Sequence, residues 1–259
     1  MSILQQKNTI ILLTCLVFFL DTLAVPTWAA PPHQMDRFYF ERNGSVIWEV
    51  PTTQPMIALT FDDGPNPRYT TEILDILKKY DAKATFFVIG EQVEKYPELV
   101  KREIREGHEV GNHTFHHRSI KRQNAATISH ELAETDILVL GLTGIHPHLF
   151  RPPGGYYDQP TVETATKAGY QVVMWSWHQD TRDWSRPGVH KIASTVINNA
   201  RNGDIVLLHD HGGNRKQTVA ALKRILPALK KKGYQFITVS EMMKKGKRKV
   251  YQKQKSQGI

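Results

Sequence analysis

The sequence predicts an α/β fold of parallel strands joined by helical crossovers, either a doubly wound sheet or a barrel one strand short of eight. Three observations predict it. The chain has 259 residues, 40% of them apolar and 23% charged, which suits one large globular domain with a sizeable core. From residue 56 onward, short β-type runs alternate with helical patterns, the mark of βαβ units. Residues capable of chemistry recur at the C-terminal ends of those runs, where parallel α/β architectures gather their active sites.

The segment TIILLTCLVFFL (9–20) comes after Lys7 and precedes DTLAVPTWAA. A basic start, a short apolar stretch and the small residues Ala29 and Ala30 read as a signal peptide or N-terminal anchor over 1–30. The apolar stretch is shorter than the roughly 20 residues of a membrane span. Cys15, the one cysteine, lies inside it, so disulfides cannot stabilise the remainder of the chain. Residues 31–53 are mixed and Pro-containing, and are expected to lead into a domain over 54–241. Strands are expected at MIALTF (56–61), ATFFVI (84–89), HEVGNH (108–113), HLFRP (148–152), QVVMWSW (171–177), DIVLLH (204–209) and QFITVS (235–240). Helical patterns span 69–81, 91–107, 129–142, 159–169, 189–203 and 218–233, several of them closed by glycine.

The formal charge is +9, from 34 Lys and Arg against 25 Asp and Glu. Much of the excess lies in a basic tail over 242–259. Such a balance admits an anionic cell wall, an anionic membrane or nucleic acid as partner. No nucleic-acid-binding pattern accompanies it. An anionic wall is therefore the expected partner of a monomeric chain, with a membrane reached only through the N-terminal segment.

The candidate chemistry begins at LTFDDGP (59–65), where an apolar run ends on two adjacent carboxylates, Asp62 and Asp63. Asp-Asp-Gly-Pro is also ordinary turn chemistry. In NHTFHH (112–117), however, His113 and His117 are four apart, a spacing that puts both rings on one face of a helical turn. One of the two aspartates would complete a set of two nitrogens and one oxygen, the donor set of a catalytic divalent metal with a position left open. The remaining aspartate would then be a general base toward water. Arg151 in FRPPGG is a candidate to hold that base through a bidentate pair, and Gly154 a candidate backbone donor to an oxyanion. His209 ends the run IVLLH and is a candidate general acid, with Asp180 to orient it. Trp184 is a candidate wall for a sugar face. His116, His178 and His211 receive no role.

Taken in order, TFDDG, HTFHH, RPPGG, DTRDW and LLHD resemble the five motifs of the polysaccharide deacetylase family, the NodB-homology or carbohydrate esterase 4 domain, over about residues 54–241. The resemblance implies a distorted (β/α) barrel, often of seven parallel strands with helices outside. It implies Asp62 as base, and Asp63, His113 and His117 as ligands of one divalent ion, zinc first, with cobalt, nickel or manganese as substitutes. It implies His209 as acid with Asp180 tuning it, Arg151 holding Asp62, and Leu207 and Trp184 lining the acetyl and sugar side of the groove. The implied reaction removes N-acetyl groups from an N-acetylglucosamine polymer, peptidoglycan or chitin-type, by a secreted or cell-surface enzyme. An O-deacetylase on acetylated xylan and a non-catalytic wall-binding protein are the alternatives. One departure stands out: the family often carries an aromatic after the second proline of the third motif, whereas here Gly154 and Gly155 precede Tyr156 and Tyr157.

Overall fold

The structure, a computed structural model, describes residues 37–246. The expected signal or anchor and the tail from residue 247 lie outside them. The described elements are α1 (Arg37–Asn43), β1 (Val46–Ile47), β2 (Met56–Asp62), α2 (Tyr69–Lys79), β3 (Ala84–Val88), α3 (Gly90–Lys95), α4 (Pro97–Arg105) and β4 (Glu109–Asn112). They continue with α5 (Ala125–Thr143), β5 (Leu149–Phe150), α6 (Gln159–Lys167), β6 (Gln171–Val173), α7 (Val189–Asn199), β7 (Asp204–His209), α8 (Lys216–Lys231) and β8 (Gln235–Phe236).

Each of the seven expected strands is present, several of them shorter than drawn. The run 171–177 stops at Val173 because the chain turns into a short 3-10 segment, Trp177–Gln179. The pattern over 91–107 is two helices. Tyr96 precedes Pro97 and leaves the α region (φ −135°, ψ 53°), as the proline ring demands of its predecessor. One strand is additional. β1 lies in the stretch read as a lead-in, yet it pairs in parallel with β6, Val46 opposite Val172, and Trp48 just beyond it is buried. Two residues are too few to show a period-two pattern.

The strands pair in parallel in the order β1-β6-β5-β4-β3-β2-β7, and β8 joins the start of β2. Beyond β7 the sheet meets its other end. Isolated bridges join Glu49 to Asp204 and Asp180 to Leu207, and Ser176 N–H donates to the Ile205 carbonyl at 3.0 Å. The sheet thus curls into a distorted half-barrel, and β1 rather than β8 completes the continuous seven-strand path.

Alternation along the strands decides which side chains enter the barrel. In β2, Ile57, Leu59 and Phe61 pack outward with Ile73, Leu74 and Leu77 of α2 and Leu222, Ile225 and Leu226 of α8. Met56 and Ala58 point the other way and meet Phe87, Leu149, Val173 and Ile205 inside. Burying such a Leu, Ile or Phe is worth about 2 kcal/mol each, so both layers hold the register. A slip of one residue would carry the reactive residues out of the barrel.

Candidate active site

The same alternation delivers the site. Asp62 follows Ala58 and Thr60 on the inward face of β2, and His209 follows Ile205 and Leu207 on that of β7. Asp62 and His209 are partners in the ladder. His113 and Arg151 are the residues immediately after β4 and β5. His113 N–H donates to the Val88 carbonyl and Arg151 N–H to the Asn112 carbonyl, so the strand hydrogen bonds continue to these side chains.

Asp63, His113 and His117 form one corner. Their nearest donor atoms all lie within 4.8 Å of one another, and among the described residues they are the one such group. Asp63 Oδ1 is 3.6 Å from His113 Nε2 and 3.2 Å from His117 Nε2. Bonds of about 2 Å to a tetrahedral ion would set its ligands roughly 3.3 Å apart, so the corner has the size a divalent cation needs. His113 Nδ1 is 2.7 Å from the Arg151 carbonyl, to which it donates, so Nε2 faces Asp63 with its lone pair. Burial opposes the charge on Asp63. When these rings carry protons, His113, by hydrogen bond and charge, with His209 and His117 behind it, outweighs burial and holds the carboxyl well below its usual range. The His117 ring is lowered by burial and by His113. Both effects favour the neutral imidazole that a metal takes.

The spacing of the two histidines does not arise from a helix. Residues 113–117 form an open turn in which Thr114 (φ 68°) and His117 (φ 54°) adopt left-handed backbone. Glu131 of α5 holds that turn. Its carboxylate accepts from the N–H groups of Phe115 and His116, at 3.0 and 2.9 Å, and lies 2.8 Å from His116 Nδ1. Sequence reasoning missed Glu131, which stands outside every motif.

Asp62 faces a different neighbour. Its Oδ1 accepts from Arg151 Nη1 at 2.7 Å, and its Oδ2 is 3.9 Å from His113 Nε2. Arg151 is fully buried, and its pair with Asp62 is a single bond rather than the expected bidentate one. The rest of its fork is occupied: Nη1 also reaches Thr60 Oγ1 (2.7 Å), Nε the Val173 carbonyl (3.1 Å) and Nη2 the Met174 carbonyl (2.8 Å). Burial lowers the guanidinium from its ordinary value, and Asp62 offsets that only in part. So located, Arg151 fixes one carboxylate oxygen and leaves the other toward the metal corner.

The third element corrects an expectation. Asp180 does not orient His209; it accepts from the Arg182 N–H instead. Asp183 is the partner. Its Oδ1 lies 2.7 Å from His209 Nδ1, and its Oδ2 accepts from the His209 N–H and from Thr218 Oγ1. The reason is register. The bridge from Asp180 to Leu207 leaves Asp180 two rungs below His209, and the chain must run on to Asp183 to draw level. Burial would lower His209, but the hydrogen bond and charge of Asp183 prevail, and the imidazole is raised to about 9. The shift favours the imidazolium, whose Nε2–H is left to donate.

These three corners admit comparison with known proteins. The family model described as polysaccharide deacetylase matches residues 49–173. A peptidoglycan-N-acetylglucosamine deacetylase of Bacillus cereus is 53% identical over 208 residues, covering 79% of this chain and 95% of the relative. The chain belongs to the polysaccharide deacetylase family. A chitooligosaccharide deacetylase of a Bradyrhizobium strain is 41% identical over 191 residues, covering 69% of this chain and 86% of its own. A solved peptidoglycan N-acetylglucosamine deacetylase with a substituted benzamide bound superposes with a TM-score of 0.78 at 35% identity, over 81% of this chain and 98% of that one. This deacetylase is accordingly an enzyme, a hydrolase of carbon–nitrogen bonds.

The remaining candidates in the deacetylase domain divide by depth. Leu207 is buried inside the barrel, two residues below His209 and opposite Thr60. Trp184 is 57% exposed, next in the chain to Asp183. Gly154 is exposed, with φ 63°, in a turn closed by Gly155 N–H to the Pro152 carbonyl. His178 lies at the far end of β7, bonded to Asp204, and His211 meets Asn66. Thr60, Thr218 and Asp183 support the site without standing out in the sequence for those roles. For Asp183 a signal existed, as the second acid of DTRDW.

Proposed function

We propose that the chain is a metal-dependent N-deacetylase that releases acetate from N-acetylglucosamine-containing polysaccharide, peptidoglycan or chitin-type oligomers. The observation that carries this reading is the separation of the adjacent aspartates. Asp63 faces two imidazoles, while Asp62 is held by Arg151 with one oxygen left over.

The two imidazoles and one carboxylate would hold a divalent ion, zinc first among those that imidazole suits, with cobalt, nickel or manganese able to replace it. Bound there, the ion supplies Lewis acidity, polarising the acetyl carbonyl and easing the deprotonation of water. Asp62 takes one proton from the attacking water, whose oxygen bonds to the acetyl carbon. The Gly154 N–H is available to the oxygen that gains charge. As the carbon–nitrogen bond breaks, His209 gives its proton to the nitrogen, and a free amine leaves with acetic acid, which ionises to acetate in solvent. The proton on Asp62 returns to His209 through solvent. Leu207 floors the acetyl pocket and Trp184 offers a face to the sugar.

We also put the enzyme outside the cytoplasm, secreted or held at the cell surface as a monomer. The signal-or-anchor pattern over 1–30 supports this, and the basic tail suits an anionic wall. Acetate release from peptidoglycan, chitin oligomers and acetylxylan, with and without chelator, tests the reaction. Release from the first two, lost on chelation and restored by zinc, is expected. Release from acetylxylan alone, or undiminished release by metal-stripped protein, overturns it.

A further inference from the structure

The start of α8 holds loops on two sides of the site, and one residue there has no part in the reaction above. Arg215 directly precedes α8 and is 3% exposed. A buried guanidinium is costly unless its donors are met. Here all three nitrogens donate to main-chain carbonyls: Nε to His211 (2.5 Å), Nη2 to Gly212 (2.6 Å) and Nη1, at a longer 3.4 Å, to Trp184.

A buried arginine that ties loops together is ordinarily fold support. The owners of these carbonyls give this one a further part. Gly212 lies against the metal corner. A methyl group placed on it would stand 2.9 Å from Asp63 Oδ2 and 3.1 Å from Arg215 Nη2, and its backbone is left-handed (φ 77°). Asp63 Oδ1 is the oxygen that faces the two imidazoles, so Oδ2 is the one set against Gly212. Asp63 is itself left-handed (φ 77°), a backbone uncommon outside glycine and kept by what packs around it. The loop that Arg215 pins is part of that packing.

Trp184 lies on the other side, next to the Asp183 that orients His209. Neighbours of Arg215 hold the same loop. Gly188 N–H donates to Gln217 Oε1 at 2.8 Å, and Thr218 Oγ1 donates to Asp183 Oδ2 at 2.7 Å. Residues 183–188 are thus fixed from the start of α8, and Arg215 joins them to the loop against Asp63.

We propose that Arg215, which lies outside the five motifs, is a positioning residue for two parts of the site at once. Through the Gly212 backbone it keeps Asp63 in line with His113 and His117. Through the Trp184 carbonyl it holds the sugar wall beside that corner. The inference rests on the N-deacetylase reading and adds to it a residue that none of its steps uses.

The test has two readouts. The full chain, stripped of metal, is titrated with zinc against a chromophoric chelator, and the zinc-saturated enzyme is assayed for acetate release from a chitin tetramer. Arg215→Met keeps a stem of similar length and loses the fork. It should weaken zinc binding about tenfold, as loss of a group behind a ligand does. It should also raise KM by more than it lowers kcat. Arg215→Lys keeps the charge but cannot span three carbonyls, and should stay close to Arg215→Met. Gly212→Ala crowds Asp63 from the same side and should weaken zinc with Arg215 still in place. Trp184→Ala should raise KM and leave zinc affinity alone, and Arg215→Met added to it should raise KM little further. Ile225→Val, buried within α8, should lower the melting temperature and change neither zinc affinity nor KM. Four results overturn the proposal while the deacetylase reading stands: unaltered zinc affinity in Arg215→Met, full rescue by Arg215→Lys, KM effects of Arg215→Met and Trp184→Ala that simply add, or a zinc loss in Ile225→Val equal to that in Arg215→Met. No acetate from wild type, on the tetramer or on peptidoglycan, brings down that reading itself, and the zinc titration still decides whether Arg215 positions Asp63.

Discussion

Replacing Asp183 with asparagine should convert the enzyme from one active through neutral pH to one active only in mild acid. Raising an imidazole from 6.5 to about 9 corresponds to a preference for the imidazolium of about 3 kcal/mol. The hydrogen bond and charge of Asp183 are the largest source of that rise, and burial works against it. Without Asp183, only Asp62 and Asp63 remain to oppose burial, and His209 should return to 6.5 or below. At about pH 8 the protonated fraction then falls from about 90% to about 3%, a roughly thirtyfold loss of the proton donor. The assay is acetate release across the range from mild acid to alkali, in which the alkaline limb should move down by more than about two pH units. Stability should track the same group. The folded value of His209 lies above the unfolded one, so its contribution is complete below about pH 6.5 and is lost as pH rises through about 9. Urea unfolding of metal-free protein should show that decline in wild type and not in Asp183→Asn. An alkaline limb still near 9 in Asp183→Asn, or one that moves in Asp180→Asn, would refute the reasoning.

Three further substitutions probe the other corners. Asp62→Asn should abolish turnover yet retain metal through dialysis, as measured by elemental analysis; a variant with normal rates removes Asp62 as the base. His113→Ala takes away one of the three donors and should lower retained zinc by more than the about tenfold typical of losing a group behind a ligand. Full zinc content in that variant would disprove the corner. Gly64→Ala would set a methyl group within 2.6 Å of the Asp210 carboxyl carbon, in the turn that follows Asp63. Asp210 is fully buried, bonded to Thr70 Oγ1, so it has nowhere to retreat. Thermal melts should show a loss of about 1–3 kcal/mol, and an unchanged melting temperature would mean that the turn is not packed as described.

What could be read in the sequence and what could not divide along one physical line. Residues whose positions come from a local period were legible. Alternation along MIALTFD, DIVLLH and EVGNH, continued one step to His113, is enough to send Asp62, His209 and His113 into one barrel mouth. Partners fixed by a register between distant segments were not legible. Asp180 and Asp183 are equally acidic and three residues apart, and only the bridge to Leu207 decides which of them reaches His209. Glu131 is hidden for the same reason, fourteen positions past His117 on a helix whose packing the motif does not encode. The histidine pair shows that a local rule can give the right contact for the wrong cause. Four-residue spacing suggested a helical turn, whereas left-handed backbone at Thr114 and His117, pinned by Glu131, brings the rings to 5.0 Å between centroids. The ligand set could thus be named from spacing, while its rigidity depends on a carboxylate outside the motif.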